Sequence, residues 1–137
     1  MKVSQYMSTD IVSANLHDGL RQTFYRMRER DIRHMPVLSE DERLLGIISD
    51  RDLRHPDWVD DEENCAHYYL LDNAHKVEGT MSADPAVVHQ DDNLQKAVEV
   101  IIEHRYGALP VVDDDHNLVG MISAIDLLRA FHDLDKC

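Results

Sequence analysis

A glycine, two apolar residues, a serine and, three positions after the serine, an aspartate occur twice in this chain. They stand as Gly46-Ile47-Ile48-Ser49-Asp50-Arg51-Asp52 and as Gly120-Met121-Ile122-Ser123-Ala124-Ile125-Asp126. The apolar run reads as a buried strand and the residues after the serine as a helix start. The free N–H groups of such a first turn face outward and favour an anion. A serine at that point can cap the helix and also reach a phosphate or hydroxyl. An aspartate three residues on can accept two hydrogen bonds from vicinal ribose hydroxyls, as acidic residues do in other nucleotide folds. The same Ser-x-x-Asp spacing is that of a capping box, which only stabilises the helix. One copy alone would favour the box. Two copies, each behind a glycine and a buried strand, leave the two readings level.

The elements that must position these residues also come in pairs. Residues 7–55 lie over residues 81–129 without a gap: Met7-Ser8-x-Asp10 falls on Met81-Ser82-x-Asp84, and Pro36-Val37 on Pro110-Val111. Two long copies argue against a solenoid, which stacks three or more short units. They predict two similar half-domains about a pseudo-twofold axis, with clefts between them where ligands tend to bind. Each copy reads as strand, helix, strand, strand, helix, a mixed α/β (α+β) fold. A short extended piece (Ile11-Val12-Ser13-Ala14 or Pro85-Ala86-Val87-Val88) precedes turn and cap residues His17-Asp18-Gly19 or Asp91-Asp92-Asn93. Apolar positions at helical spacing follow (Leu20, Phe24 and Met27; Leu94, Ala97, Val98, Ile101 and Ile102). Two strands around Met35–Leu38 and Leu44–Ile48, or Leu109–Val112 and Leu118–Ile122, are joined by polar hairpin loops.

At 137 residues the chain forms one module, with repeat 1 over 1–55, a linker with a helix over 56–78 and repeat 2 over 79–137. In the linker, Asp60-Asp61-Glu62-Glu63 reads as a solvated face. Trp58 and Tyr68-Tyr69 read as packing on the repeats, the alternative being a patch for another subunit. A net charge of −13 argues against nucleic acid or an anionic membrane as partner, although the basic residues concentrate in the first repeat. No apolar run reaches the roughly 20 residues that cross a bilayer, and the first residues lack a signal-peptide pattern. Cys65 and Cys137 make no disulfide framework and read as free thiols, so a cytoplasmic location is expected.

Other chemistries find little footing. The nine histidines are scattered, and Cys65-Ala66-His67 stands without a second pair at ligand spacing, so no metal site is expected. No serine or cysteine has a histidine and an acid set out to activate it, so no catalytic residue is assigned. Five glycines in all make a phosphate-binding glycine loop an unsuitable reading.

The motifs resemble a known family. The Met-Ser starts, Ile32-Arg33-His34-Met35-Pro36-Val37, Tyr106-Gly107-Ala108-Leu109-Pro110-Val111 and the two Gly-to-Asp runs are similar to the CBS domain. The whole chain resembles a stand-alone CBS pair, or Bateman module. Asp50-Arg51-Asp52-Leu53 and the linker resemble, more weakly, bacterial CBS proteins of the acetoin-utilisation type. The resemblance implies a non-enzymatic regulatory module, with no required cofactor. Such a module binds an adenosine-containing ligand (AMP, ADP or ATP, or else NAD or S-adenosylmethionine) between the repeats and signals by conformational change. It implies a homodimer and an unidentified regulated protein as partners. The alternative is a ligand-free interaction or dimerisation scaffold.

Carried over residue by residue, the resemblance implies two nucleotide sites. The first has Ser49 and Asp52 on the ribose, Thr80, Pro85 and Tyr106 around the base, and Arg33, His34 and Arg51 facing the phosphates. The second has Ser123 and Asp126 with Tyr6, Ile11 and Ile32 around the base. On its phosphate side stand Gly107, Ala108 and Ile125, where no cation occurs. Unequal sites are therefore expected. The first should prefer a charged phosphate tail, because arginine pairs strongly with phosphate. The second should bind weakly, take a neutral adenosyl group, or stay empty.

Overall fold

Helical spacing of apolar residues in the first repeat produces α1, Leu20–Arg30, which buries Leu20, Thr23 and Met27 on one face. The buried Thr23 hydroxyl donates to the Gly19 carbonyl at 2.8 Å, so its burial leaves no donor unsatisfied. The matching helix α3, Leu94–His104, buries Leu94 and Ala97. Both helices end on a non-glycine residue in the left-handed region, Asp31 at φ 55° and Arg105 at φ 58°. The computed structural model describes residues 1–54 and 73–134. Most of the 56–78 linker, in which a helix was expected, lies outside the described residues, as do its acidic stretch, the packing of Trp58 and Tyr68-Tyr69, and both cysteines.

Two compact units emerge, and they do not follow the repeat boundaries. One is Val12–Asp84; the other joins residues 1–11 to the chain from Pro85 onward. In the first, β1 (Ala14–Asn15), β2 (His34–Leu38), β3 (Leu44–Ser49) and β4 (Ser82–Ala83) form a sheet in the order β1-β2-β3-β4. β1 runs parallel to β2, while β2, β3 and β4 are successively antiparallel. The ladder between β1 and β2 pairs only Val37 and Leu38 of β2, so Pro36, which has no N–H to donate, lies just beyond it. α2 (Asp50–Arg54) follows β3 directly. In the second unit, β5 (Val88–His89), β6 (Ala108–Val112) and β7 (Leu118–Ser123) repeat the same register, and α4 (Ala124–Leu134) follows β7.

The piece that completes each sheet comes from the far side of the chain. β4, which belongs to the start of the second repeat, pairs with Gly46 and Ile47 of β3. Ser8, from the start of the first repeat, bridges Met121 of β7 through bonds of 2.8 and 3.0 Å. The glycines make this approach possible. A Cβ on Gly46 would stand 2.6 Å from the Ser82 carbonyl oxygen and 2.7 Å from the Met81 sulfur. On Gly120 it would stand 2.7 Å from the Ser8 carbonyl and 2.8 Å from the Met7 sulfur. Met-Ser and Gly thus recur together because one packs on the other.

The correspondence reaches further upstream than residues 7 and 81. Lys2-Val3 matches Lys76-Val77, and short 3-10 helices run over Val3–Gln5 and Val77–Gly79. Val3 and Val77 are fully buried, each in the core of its own unit. These segments also serve the helix starts, which fall within the expected turn and cap residues. Gly19 and Asn93 occupy the N-cap positions without a side-chain bond to the helix. Instead, the N–H of Leu20 donates to the His75 carbonyl at 3.0 Å and that of Gln22 to Asn73 Oδ1 at 2.9 Å. The N–H of Leu94 donates to the Met1 carbonyl at 3.1 Å. Asp18 and Asp92 turn back to accept from the N–H groups of Asn15 and His89, each at 2.9 Å, which fixes the strand-to-helix turn.

The cores mirror each other. Leu20, Met35, Val37 and Ile48 fill one, and Leu94, Leu109, Val111 and Ile122 fill the other at matching positions. In the β6–β7 hairpin, Asp113 accepts from the N–H groups of Asp115 and Asn117 at 2.9 Å. The hydrogen bond from Asn117 leads the causes that hold its carboxyl below the usual carboxylate range. Among the described residues, no helix is long and apolar enough to cross a membrane.

Candidate functional site

The end of a buried strand places each serine. β3 runs Leu44–Ser49 and hands over to α2 at Asp50; β7 runs Leu118–Ser123 and hands over to α4 at Ala124. At both junctions the capping box is fully formed. The Ser49 N–H donates to Asp52 Oδ2 at 2.8 Å, and the Asp52 N–H donates to Ser49 Oγ at 3.1 Å. Ser123 and Asp126 repeat the pair at the same 2.8 and 3.1 Å. The structural role of the motif is therefore real. It does not exhaust the groups, because each serine hydroxyl proton and each aspartate Oδ1 lies outside the box.

What surrounds the boxes differs. In the unit Val12–Asp84, His34 sits directly opposite Ser49 across the β2–β3 ladder. The Arg33 carbonyl accepts the Asp50 N–H at 2.8 Å, which ties the start of α2 to the start of β2. Burial pushes the His34 imidazole below its ordinary pKa. The nearby Asp52 charge opposes this, Arg33 adds to it, and Asp50 opposes it again. Arg51 projects from the first turn of α2 and is exposed. In the other unit the same positions hold Ala108 opposite Ser123 and the Gly107 carbonyl bonded to the Ala124 N–H at 3.0 Å. There Asp126 Oδ1 is taken by Arg129 at 3.2 Å. The position matching Arg129 is His55, outside the described residues.

The expected base-side residues divide between the units. Thr80 ends the 3-10 helix Val77–Gly79, shortly before β4, and so shares a unit with Ser49, Asp52, Arg51, Arg33 and His34. Ile32, expected on the base side of Ser123 and Asp126 from the opposite repeat, also lies there, half-buried against the core. Tyr6 and Ile11 belong to the unit of Ser123 and Asp126. The Tyr6 hydroxyl donates to Asp133 Oδ2 on α4 at 3.2 Å. Pro85 and Tyr106 are in that second unit too, and the Tyr106 ring stacks on His104 with centroids 5.1 Å apart. The recruitment of segments 1–11 and 73–84 to the far sheets was not anticipated. The Lys-Val pairs at 2–3 and 76–77 were the available signal, since each copy of the repeat begins with its own.

Among the described residues, no three His, Cys, Asp or Glu side chains converge as metal ligands would. Both junctions offer fixed hydrogen-bond acceptors. The Arg129 of the Ser123–Asp126 one is already paired with Asp126, while Arg33, His34 and Arg51 accompany the Ser49–Asp52 one. That combination suits holding a hydroxylated, anionic ligand.

Comparison with known proteins places the chain among relatives. The CBS-domain sequence profile matches residues 3–56 and 74–133. The uncharacterised protein MJ1225 of Methanocaldococcus jannaschii is 30% identical over 132 residues, covering 94% of this chain and 46% of that protein. The chain thus spans about half the length of that relative. A CBS domain-containing protein of Dictyostelium discoideum is 31% identical over 130 residues, covering 92% of this chain and 88% of that protein. Among solved structures, CBSX2 of Arabidopsis thaliana in complex with AMP superposes with a TM-score of 0.79 at 24% identity, covering 98% of both chains.

Proposed function

The chain belongs to the CBS-domain family, and from that premise we propose that it is a regulatory module that binds an adenosine-containing nucleotide (AMP, ADP or ATP). One observation supports the reading: His34 stands opposite Ser49, with Arg33 and Arg51 beside the pair in sequence, whereas Ala108, Gly107 and Ile125 hold the matching positions of the other junction. In this proposal Asp52 Oδ1 and the Ser49 hydroxyl engage the ribose. Arg33, His34 and Arg51 take the phosphates, and Thr80 lies on the base side. The Ser123–Asp126 junction, with Tyr6 and Ile11, is the weaker site. The likeness to CBSX2, solved with AMP, supports the ligand class. Binding would regulate only through a difference in affinity between two arrangements of the protein.

A second reading, a scaffold that dimerises or docks a partner, is favoured by the exposed apolar row on α4. There Ile125, Leu128 and Phe131 are 60%, 62% and 68% exposed. A second copy of the chain is the partner this reading proposes.

Thermal unfolding against AMP, ADP, ATP, NAD and S-adenosylmethionine separates the two. A ligand at a hundredfold its dissociation constant adds about 2.7 kcal/mol to stability. We expect a clear rise in melting temperature with an adenine nucleotide, abolished by Asp52→Ala and retained by Asp126→Ala. No rise with any of the five would favour the scaffold.

A further inference from the structure

A cavity of about 390 Å³ opens at the end of α1, against the start of β2 and the outer side of α2. Ser49, Asp52 and His34 do not line it. Phe24, Met27 and Ile32 give it an apolar wall, and Arg28, Arg33 and Arg54 line it as well. The fold does not require these arginines. The other unit repeats the same helices and strands, with Ile102, Gly107 and Leu128 at the three matching positions. Three cations gathered in one cavity of a chain of net charge −13 repel one another and need a reason.

Their hydrogen-bonding state points the same way. Arg28 lies over the Phe24 ring, 5.6 Å from its centroid, which leaves the edges of its fork unused. Arg54 gives its Nε to Asp50 Oδ2 at 3.1 Å, so its two terminal nitrogens are left over. Neither Arg28 nor Arg33 makes an ion pair among the described residues. Two carboxylates also line the space. Asp50 is already balanced by Arg54, which leaves Asp31, at the left-handed end of α1, against two guanidinium groups.

We propose that this cavity is a second anion site, separate from the Ser49–Asp52 junction, that takes the phosphate of a small monoester with an apolar body. The guanidinium forks match phosphate oxygens two at a time. The Phe24, Met27 and Ile32 wall receives the ester's apolar part, which distinguishes such a ligand from inorganic phosphate. Arg33 also belongs to the phosphate side proposed for the junction, so Arg28 and Arg54, which have no part there, carry the separate site.

Calorimetric titration at low ionic strength with phenyl phosphate and with inorganic phosphate tests it. We expect one phenyl phosphate per chain, bound several-fold more tightly than inorganic phosphate. Arg28→Ala with Arg54→Ala should weaken it by about tenfold or more, the usual worth of a charge-assisted hydrogen bond. Both side chains are exposed, and the single variants Arg28→Gln and Arg54→Gln, each expected to weaken binding measurably, carry the test should the double variant not fold. No saturable binding, or binding indifferent to these variants, would overturn the site. Binding lost in Asp52→Ala instead would place the anion at the junction and overturn it too. Equal affinity for the two probes would overturn the choice of a monoester.

Discussion

His34 shows how much one substitution changes at a junction whose backbone is otherwise repeated. It stands opposite Ser49 where the twin position has an alanine, and the charges of Asp52, Arg33 and Asp50 act on it. Burial outweighs the two aspartates, so the folded protein holds the ring less readily protonated than the ordinary value of 6.5. The unfolded chain therefore binds a proton that the folded chain resists. This costs nothing well above 6.5 and destabilises as the pH falls through 6.5 toward the folded value. Urea midpoints should drop between about pH 7.5 and about 5.5, the range in which histidine titrates. The drop should be smaller in His34→Gln. An equal drop in both proteins would show that other groups govern it. At the same scale, the Ser49–Asp52 box explains why sequence alone left two readings level: the residues do cap the helix, and the cap engages only one oxygen of each aspartate. Pattern identified the groups, but only the neighbours across the ladder give the two boxes different chemistry.

At the scale of elements, the glycine ahead of each box is a contact point. Gly46→Ala would drive a methyl group into the Ser82 carbonyl and Gly120→Ala into the Ser8 carbonyl, and backbone cannot swing aside as a side-chain tip can. Overpacking of this kind costs about 1–3 kcal/mol, so each variant should show a lowered urea midpoint. A midpoint within a few tenths of a kcal/mol of the parent, the range of a neutral surface change, would mean that the leading segments can shift. Helices and strands were legible because their burial is local: Leu20 and Met27 recur at helical spacing, and β6 is apolar along its whole length. The aspartates before each helix were legible as turn residues but not as to what they bind. Asp18 and Asp92 face back toward Asn15 and His89 because carbonyls at His75 and Met1 already accept the first helical N–H groups. Those carbonyls are distant in sequence, and no local pattern announces them. The pairing of Ser8 with Met121 was hidden for the same reason, since a single bridge has no alternation to read.

At the scale of the molecule, the two units depend differently on the first residues. Val3 is fully buried in the core that contains Leu94, Leu109 and Ile122, and its N–H donates to the Asp92 carbonyl at 2.9 Å. Removing residues 1–8 would open that core and strip the Met1 carbonyl from the start of α3. Loss of a buried aliphatic side chain alone costs about 2 kcal/mol. Hydrogen exchange should then accelerate across residues 85–134 and stay near the parent's over residues 12–54. Uniform acceleration across both stretches would show that the units unfold as one.

The same arrangement sets an order of assembly. Synthesis proceeds from the N-terminus, so residues 1–11 leave the ribosome long before β6 and β7, the strands whose unit they complete. The Val12–Asp84 unit contains every one of its own strands once β4 has been made and can close at that point. The earliest segment must wait, with Val3 uncovered, until the last helix is nearly finished. Contacts between residues so far apart in sequence close slowly, because the entropy of the intervening loop is lost before any packing is gained. The nascent chain therefore carries Val3 as the plug of a socket not yet built, held out until β6, β7 and α4 have been made.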